Sequence, residues 1–252
     1  MIKICCQRLK FGFCHILLVL LFTSFESTSL FAEDKIRVGE SYSNLYSHVW
    51  TRVLDEAEIN AEFVLPPHTR KRRMFVAGDL ILDCCSAPVW RIEPEEVETQ
   101  LHTIPLLNLQ EVYVFRKGGV RPITMKSFEL LRIAIVRGFS YEQDEVFTNV
   151  IQGGTKRDAL ELVAAGRADF TIMDEREFKA YMDVSPLPLE IGGVHSSLPL
   201  TARVHKSRPD LLPRLNAAIK RLQDRGEIAA IVADIEKKAA AVAAERIDGA
   251  SP

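Results

Sequence analysis

The run LILDCCSA, residues 80–87, carries a single charge and shows no alternation of polar and apolar positions. A strand with one face in water alternates with a period of two, whereas a strand covered on both faces reads as a continuous apolar run. Residues 80–87 therefore read as a central strand with helices on either side of its sheet. The flanking pieces agree. KIRVGE (35–40) reads as a first strand with Ile36 and Val38 inward. In YSNLYSHVWTRVLDEAEI, Leu45, Val49, Val53 and Leu54 fall on one helical face, with Ser43 or Asn44 as cap. AEFVLP (61–66) is a second strand stopped by two prolines. His68 to Ala77 is a basic helix with Met74 and Phe75 inward, stopped by Gly78. Strand–helix–strand–helix–strand predicts an α/β fold with a parallel arrangement of strands.

The same rhythm returns further on. QEVYVFRKG (110–118) is a strand, and GGVRP (118–122) reads as a crossing between two lobes. LRIAIVRGFSY gives a strand, a Gly-Phe-Ser-Tyr turn and a helix. TKRDALELVAAGR (155–167) is a helix capped by Thr155, ADFTIMD (168–174) a strand and EREFKAYM (175–182) a helix. PLEIGG (188–193) and LPLTARVH (198–205) are two further strands, the second returning to the first lobe. A helix to about Gln223, with Leu211, Leu215, Ile219 and Leu222 inward, and another to about Lys238 close the fold. The expected organisation is lobe 1 over 33–117 plus 199–240, lobe 2 over 118–198, and a flexible tail over 241–252.

The start of the chain is of another kind. Lys3, Arg8 and Lys10 precede the apolar run FGFCHILLVLLFTSF, and small and polar residues lead to Ala32. This is the pattern of a secretory signal peptide, here 1–32; the run is shorter than the roughly 20 residues that span a bilayer. The expected mature chain lies in the periplasm without membrane insertion. Loss of Lys3, Arg8, Lys10 and Glu26 leaves it 29 basic and 33 acidic residues, a balance that gives no sign of nucleic-acid binding. Of the five cysteines, Cys5, Cys6 and Cys14 belong to the signal, leaving Cys84 and Cys85 side by side. Adjacent Cα atoms sit closer than a disulfide prefers, so two buried free thiols are the expectation and a bridge the rarer alternative. His48, His68, His102, His195 and His205 are scattered without ligand spacing, so neither a metal nor a cofactor is expected.

The pieces KIRVGE, AGDLILD, HTIPLL before EVYVFRKG, RIAIVRGFSY, ALELVAAGRADFTIMDE and RPDLLPRLNAAIKRLQDRGEIAAIV together resemble the type 2 periplasmic solute-binding proteins over about 35–238. The likeness is greatest to the family that binds polar amino acids for ABC transporters. The helix–Gly–Arg–Ala–Asp–strand–Asp piece carries it most specifically. The resemblance implies a two-lobed, periplasmic-binding-protein-like (type II) fold with mixed sheets and a hinge, and a monomer that closes on a small solute and serves an ABC permease or a sensor. Pro-Val-Trp-Arg, residues 88–91, is similar to a Pro-x-Trp-Arg motif in a divergent branch of related proteins.

The resemblance and the topology nominate ligand-binding residues. Ligands of open α/β sheets sit beyond the carboxyl ends of the strands, which selects Glu40 and Tyr42 after the first strand and Arg70 at the start of the second helix. Cys85 closes the third strand. Trp90 either stacks on a ligand or packs as a wall. Arg91 matches in kind the family's carboxylate-binding arginine, although it stands four or five residues early; its rival role is a surface ion pair with Glu93 or Glu95. Ser140, Tyr141 and Thr155 sit at turns into helices. Asp174 matches the family position that meets a ligand ammonium, and it also suits a helix cap. No catalytic residue is expected: GxSxG, HExxH and CxxC are all absent. The rival functions are an orphan binding fold with a protein partner and a lyase or dehydratase on the same fold.

Overall fold

The computed structural model describes residues 35–248 except 42, 123 and 143. The signal-peptide reading and Tyr42 thus lie outside the described residues. In chain order the elements are β1 (Ile36–Gly39), α1 (Asn44–Glu56), β2 (Ala61–Val64), α2 (His68–Val76), β3 (Leu82–Ser86), α3 (Pro94–Thr99), β4 (Gln100–His102), β5 (Leu107–Arg116), β6 (Arg132–Val136), β7 (Asn149–Gly153), α4 (Lys156–Ala164), β8 (Phe170–Asp174), α5 (Glu175–Val184), β9 (Leu189–His205), α6 (Leu211–Asp224) and α7 (Glu227–Asp248).

The strands run in the order β2-β1-β3-β9-β5-β8-β6-β7, with β4 also against β9. β1 pairs parallel with β2 and β3, and β6 parallel with β7 and β8, while β9 is antiparallel to β3, β4 and β5. Both sheets are therefore mixed. β3 has four buried positions and one partly buried, as its unbroken apolar character requires.

β9 joins the two halves. Its carboxyl end pairs with β3 and β4, and the rest pairs with β5 from Leu107↔Leu200 to Arg116↔Leu189. The two strands expected at 188–193 and 198–205 are thus one strand of 17 residues, kinked at irregularities near Glu111/Val112 and Tyr113/Val114 of its partner. The crossing expected at 118–122 is also corrected. β5 pairs with β8 and β9 along its length and so belongs to the second sheet, and Gly119 N–H closes a turn onto Arg116 O at 2.9 Å. The chain passes between sheets near 103–107, where Thr103 and Leu106 donate to Ala202 and Leu200. Gly and Pro mark turns of any origin, which is why the sequence signal was ambiguous.

Each lobe buries its own core. Lobe 1 packs Val38, Val49, Trp50, Leu82, Leu215 and Ile219. Lobe 2 packs Val112, Val114, Leu160, Val163 and Met173 beside an aromatic cluster of Phe115, Phe128, Phe147 and Phe170. The expected inward faces of α1 and α6 are all buried, and Tyr46 joins that of α1. Ser43 occupies the N-cap position of α1 without making a side-chain cap bond. Between β6 and β7 the described residues form a 3₁₀ turn at Asp144–Val146 where an α-helix was expected. The tail differs as well, since α7 continues to Asp248. No helix among the described residues is long and apolar enough to cross a membrane.

Candidate functional site

A cavity of about 120 Å³ lies between the lobes. The lobe 1 wall begins with α2. Lys71 and Phe75, one helical turn apart, face inward and are buried, while Arg70 points to solvent. Lys71 Nζ lies 2.8 Å from Oδ1 of Asp83, the second residue of β3. Arg203 of β9, buried and stacked 4.4 Å over the Phe75 ring, donates to Asp83 Oδ2. Burial alone would raise the Asp83 carboxyl, but Lys71 and Arg203 hold it below the usual carboxylate range. A second cluster lies beside the first. Arg72 grips Glu96 with Nε at 2.7 Å and Nη2 at 2.5 Å, and Arg91 Nε lies 3.8 Å from the same carboxylate. Burial and the neighbouring Arg203 and Arg72 charges bring Arg91 down to about 10.

Cys84 and Cys85 form a disulfide, which overturns the expectation of two free thiols. Cys84 is buried in the lobe 1 core and Cys85 is half-buried, and both line the cavity. Sequence spacing argues only from typical distances, and the rarer alternative is the one adopted.

The lobe 2 wall is acidic. Glu111 on β5 stands directly opposite Asp174 on β8, and Glu177 follows on α5. Glu111 Oε2 accepts from Ser196 Oγ at 2.8 Å. Burial, only partly offset by Ser196 and reinforced by the Asp174 charge, raises Glu111 to about 7. Burial likewise raises Asp174. Lys156 pairs with Glu177 and sits 5.6 Å over the Phe139 ring.

Among the described residues, several contacts cross between the walls. Tyr46 on α1 donates its hydroxyl to Asp174 Oδ2; burial and the Asp174 and Glu177 charges raise Tyr46 well above its ordinary value, so it keeps the proton it donates. Arg72 Nη1 reaches Ser140 Oγ at 3.4 Å, and the His68 ring meets Phe139 edge-on at 4.5 Å.

Of the residues nominated from the sequence, Cys85, Trp90, Arg91, Ser140, Tyr141 and Asp174 line this cavity. Asp174 also caps α5, accepting from Arg176 N at 2.8 Å, so its two readings hold together. Arg91 pairs with Glu96 rather than with Glu93 or Glu95. Three nominees lie elsewhere. Arg70 is exposed, and the helical period puts Lys71 and Arg72 on the cavity side instead. Glu40 offers its backbone oxygen to Lys71 Nζ at 3.2 Å and does not line the cavity. Thr155 is exposed and caps α4 in a reciprocal box with Asp158. Residues the sequence reading missed include Tyr46, Lys71, Arg72, Glu111, Lys156 and Arg203. Arg203 and Glu111 carried a usable signal, because each is a charge next to a run of apolar or small residues inside a strand.

The fold is that of the two-lobed periplasmic-binding-protein-like α/β proteins. No family model matches the sequence, and no curated protein matches it significantly. Among solved structures, the chain is similar to a histidine kinase sensor domain with similarity to periplasmic binding proteins (TM-score 0.70, 15% identity, 80% of this chain and 95% of that one). It is similar to an ancestral arginine-binding protein bound to arginine (TM-score 0.67, 17% identity, 79% and 97%). It is also similar to an amino acid ABC transporter substrate-binding protein from Streptococcus pneumoniae bound to L-arginine (TM-score 0.67, 13% identity, 81% and 95%). These neighbours are binding and sensor proteins, and at such identities the likeness is one of fold.

Proposed function

We propose that this protein binds a small polar or zwitterionic, amino-acid-like solute between its lobes and serves an ABC permease or a sensor. One observation carries the reading: the cavity has walls of opposite charge. Lys71, Arg72, Arg91 and Arg203 outnumber Asp83 and Glu96 on the lobe 1 side, and Glu111, Asp174 and Glu177 outnumber Lys156 on the lobe 2 side. A solute with an anionic and a cationic end satisfies both at once. Arg91 and Trp90 meet the anionic end; the acidic lobe 2 wall, to which Asp174 belongs, faces the cationic end, with Cys85, Ser140 and Tyr141 completing the enclosure. The neighbours' bound arginine is consistent with this class. Export by the segment 1–32, a periplasmic location and a monomeric state belong to the same proposal.

A thermal-shift screen of amino acids, amines and small carboxylates tests it. A solute present at one hundred times its Kd stabilises the folded state by ~2.7 kcal/mol, roughly 5–10 °C for a chain of this size. Arg91→Ala and Asp174→Ala are expected to abolish that shift. If no class of solute raises the melting temperature, or if both variants keep the full shift, the reading is wrong.

A further inference from the structure

The three carboxylates of the acidic wall are not equivalent. Glu177 is neutralised by Lys156. Asp174 has both oxygens engaged, Oδ2 by the Tyr46 hydroxyl and Oδ1 by Arg176 N, with Arg176 Nε 3.7 Å from Oδ1. Glu111 is different: it is 5% exposed, its hydrogen-bond partner is the neutral Ser196 hydroxyl, and no Lys or Arg forms an ion pair with it among the described residues. A buried carboxylate without a counter-charge is costly, and this one faces a cavity. Three buried donors on the lobe 1 side of that cavity, Trp90 Nε1, Arg91 Nε and Arg203 Nε, make no hydrogen bond among the described residues. Lobe 2 thus presents one acid without an ion pair, and lobe 1 presents N–H groups without a hydrogen bond, Arg91 and Arg203 being ion-paired through Glu96 and Asp83.

We propose that Glu111, rather than Asp174, receives the cationic group of the solute, while Asp174 is held by Tyr46 as part of the contact that closes the lobes. The solute's carboxylate then meets Trp90 Nε1 and Arg91. The inference rests on the cavity being a solute site, and it names the solute as a small zwitterion with its positive charge turned toward the hinge strands β5 and β9. A positive group beside Glu111 favours its ionised form. Binding therefore releases a proton below about pH 7 and strengthens as pH rises to that value. The groups facing Glu111 are Asp174 from β8, Glu177 from α5, Lys156 from α4, Tyr46 from α1 and Glu142 after β6, with His195 adjacent on β9.

Calorimetric titration of the full chain with L-arginine, L-glutamine and glycine betaine, with succinate as a purely anionic control, tests the assignment at pH 6 and pH 8. At least one of the three zwitterions is expected to bind, with a heat at pH 6 that depends on the ionisation enthalpy of the buffer. Glu111→Gln is expected to weaken that binding roughly thirtyfold or more and to erase its pH dependence. Asp174→Asn loosens closure and weakens binding too, but keeps the proton release. Melting curves confirm that each variant is folded. If Glu111→Gln binds as wild type does, or if its binding still releases a proton, the assignment is overturned. Binding of succinate alone would leave the solute site standing and sink the role of Glu111, and binding of none of the four would sink both.

Discussion

Individual side chains set the chemistry of this cavity through burial and pairing. Asp83 sits between Lys71 and Arg203, and all three are buried. Asp83→Ala strands two buried cations, so it is expected to cost about 3–5 kcal/mol, read as a lowered denaturation midpoint. Glu111 works in the other direction. Its folded value of about 7 exceeds its ordinary 4.5, so between those values the folded state holds a proton that the unfolded state has released. Its contribution to stability is complete below 4.5 and is lost as pH rises to about 7. His68, His102 and His195, held down to about 4 chiefly by burial, act oppositely: their contribution is complete above 6.5 and is lost as pH falls toward 4. The difference in melting temperature between Glu111→Gln and wild type cancels the histidine effect. It should grow in favour of the variant from pH 4 to about 7 and then level off. For Cys84 and Cys85, tryptic mapping of the peptide Met74–Arg91 without reductant should find it lighter by two hydrogens and inert to iodoacetamide. Alkylation at both sulfurs in the unreduced protein would contradict the bridge.

The helices and strands owe their place to period and to caps. The nominees that fell outside the cavity are informative here. Arg70 and Lys71 are neighbours in sequence but about 100° apart around α2, so one meets solvent while the other meets Asp83. Thr155 stands at a helix start, where a hydroxyl can cap the helix or face a ligand with the same sequence signature; here it caps. Thr155→Ala should therefore cost ~1 kcal/mol while leaving a solute-induced thermal shift unchanged. The inward faces of α1 and α6 were readable from the sequence because burial follows the 3.6-residue repeat. The lobe boundary at β5 was not, because a strand's sheet is chosen by its partners, and those of β5 lie about 60 to 90 residues along the chain.

At the scale of the whole molecule, β5 and β9 link the two cores, and α7, which packs on α1 and α6 of lobe 1, also lies against α5 of lobe 2. Across the cavity the lobes touch at Tyr46–Asp174, Arg72–Ser140 and His68–Phe139, among other contacts. Such contacts between lobes are the kind that hinge closure makes and breaks. Tyr46→Phe removes one of them and leaves its packing, so the variant should show a larger radius of gyration by small-angle X-ray scattering in solute-free buffer. Identical scattering from variant and wild type would mean that this contact does not hold the lobes together.

The sequence by itself determined most elements, their buried faces, the α/β class and six of the residues around the cavity, because periodicity and strand ends are local properties of the chain. Only the tertiary structure decided which charges are matched. Arg203 meets Asp83 across 120 positions and Tyr46 meets Asp174 across 128. It also left Glu111 on the cavity wall with no ion pair among the described residues. An ionisable group's energy depends on what stands within a few ångströms of it, and for these residues the neighbours arrive from the far end of the chain.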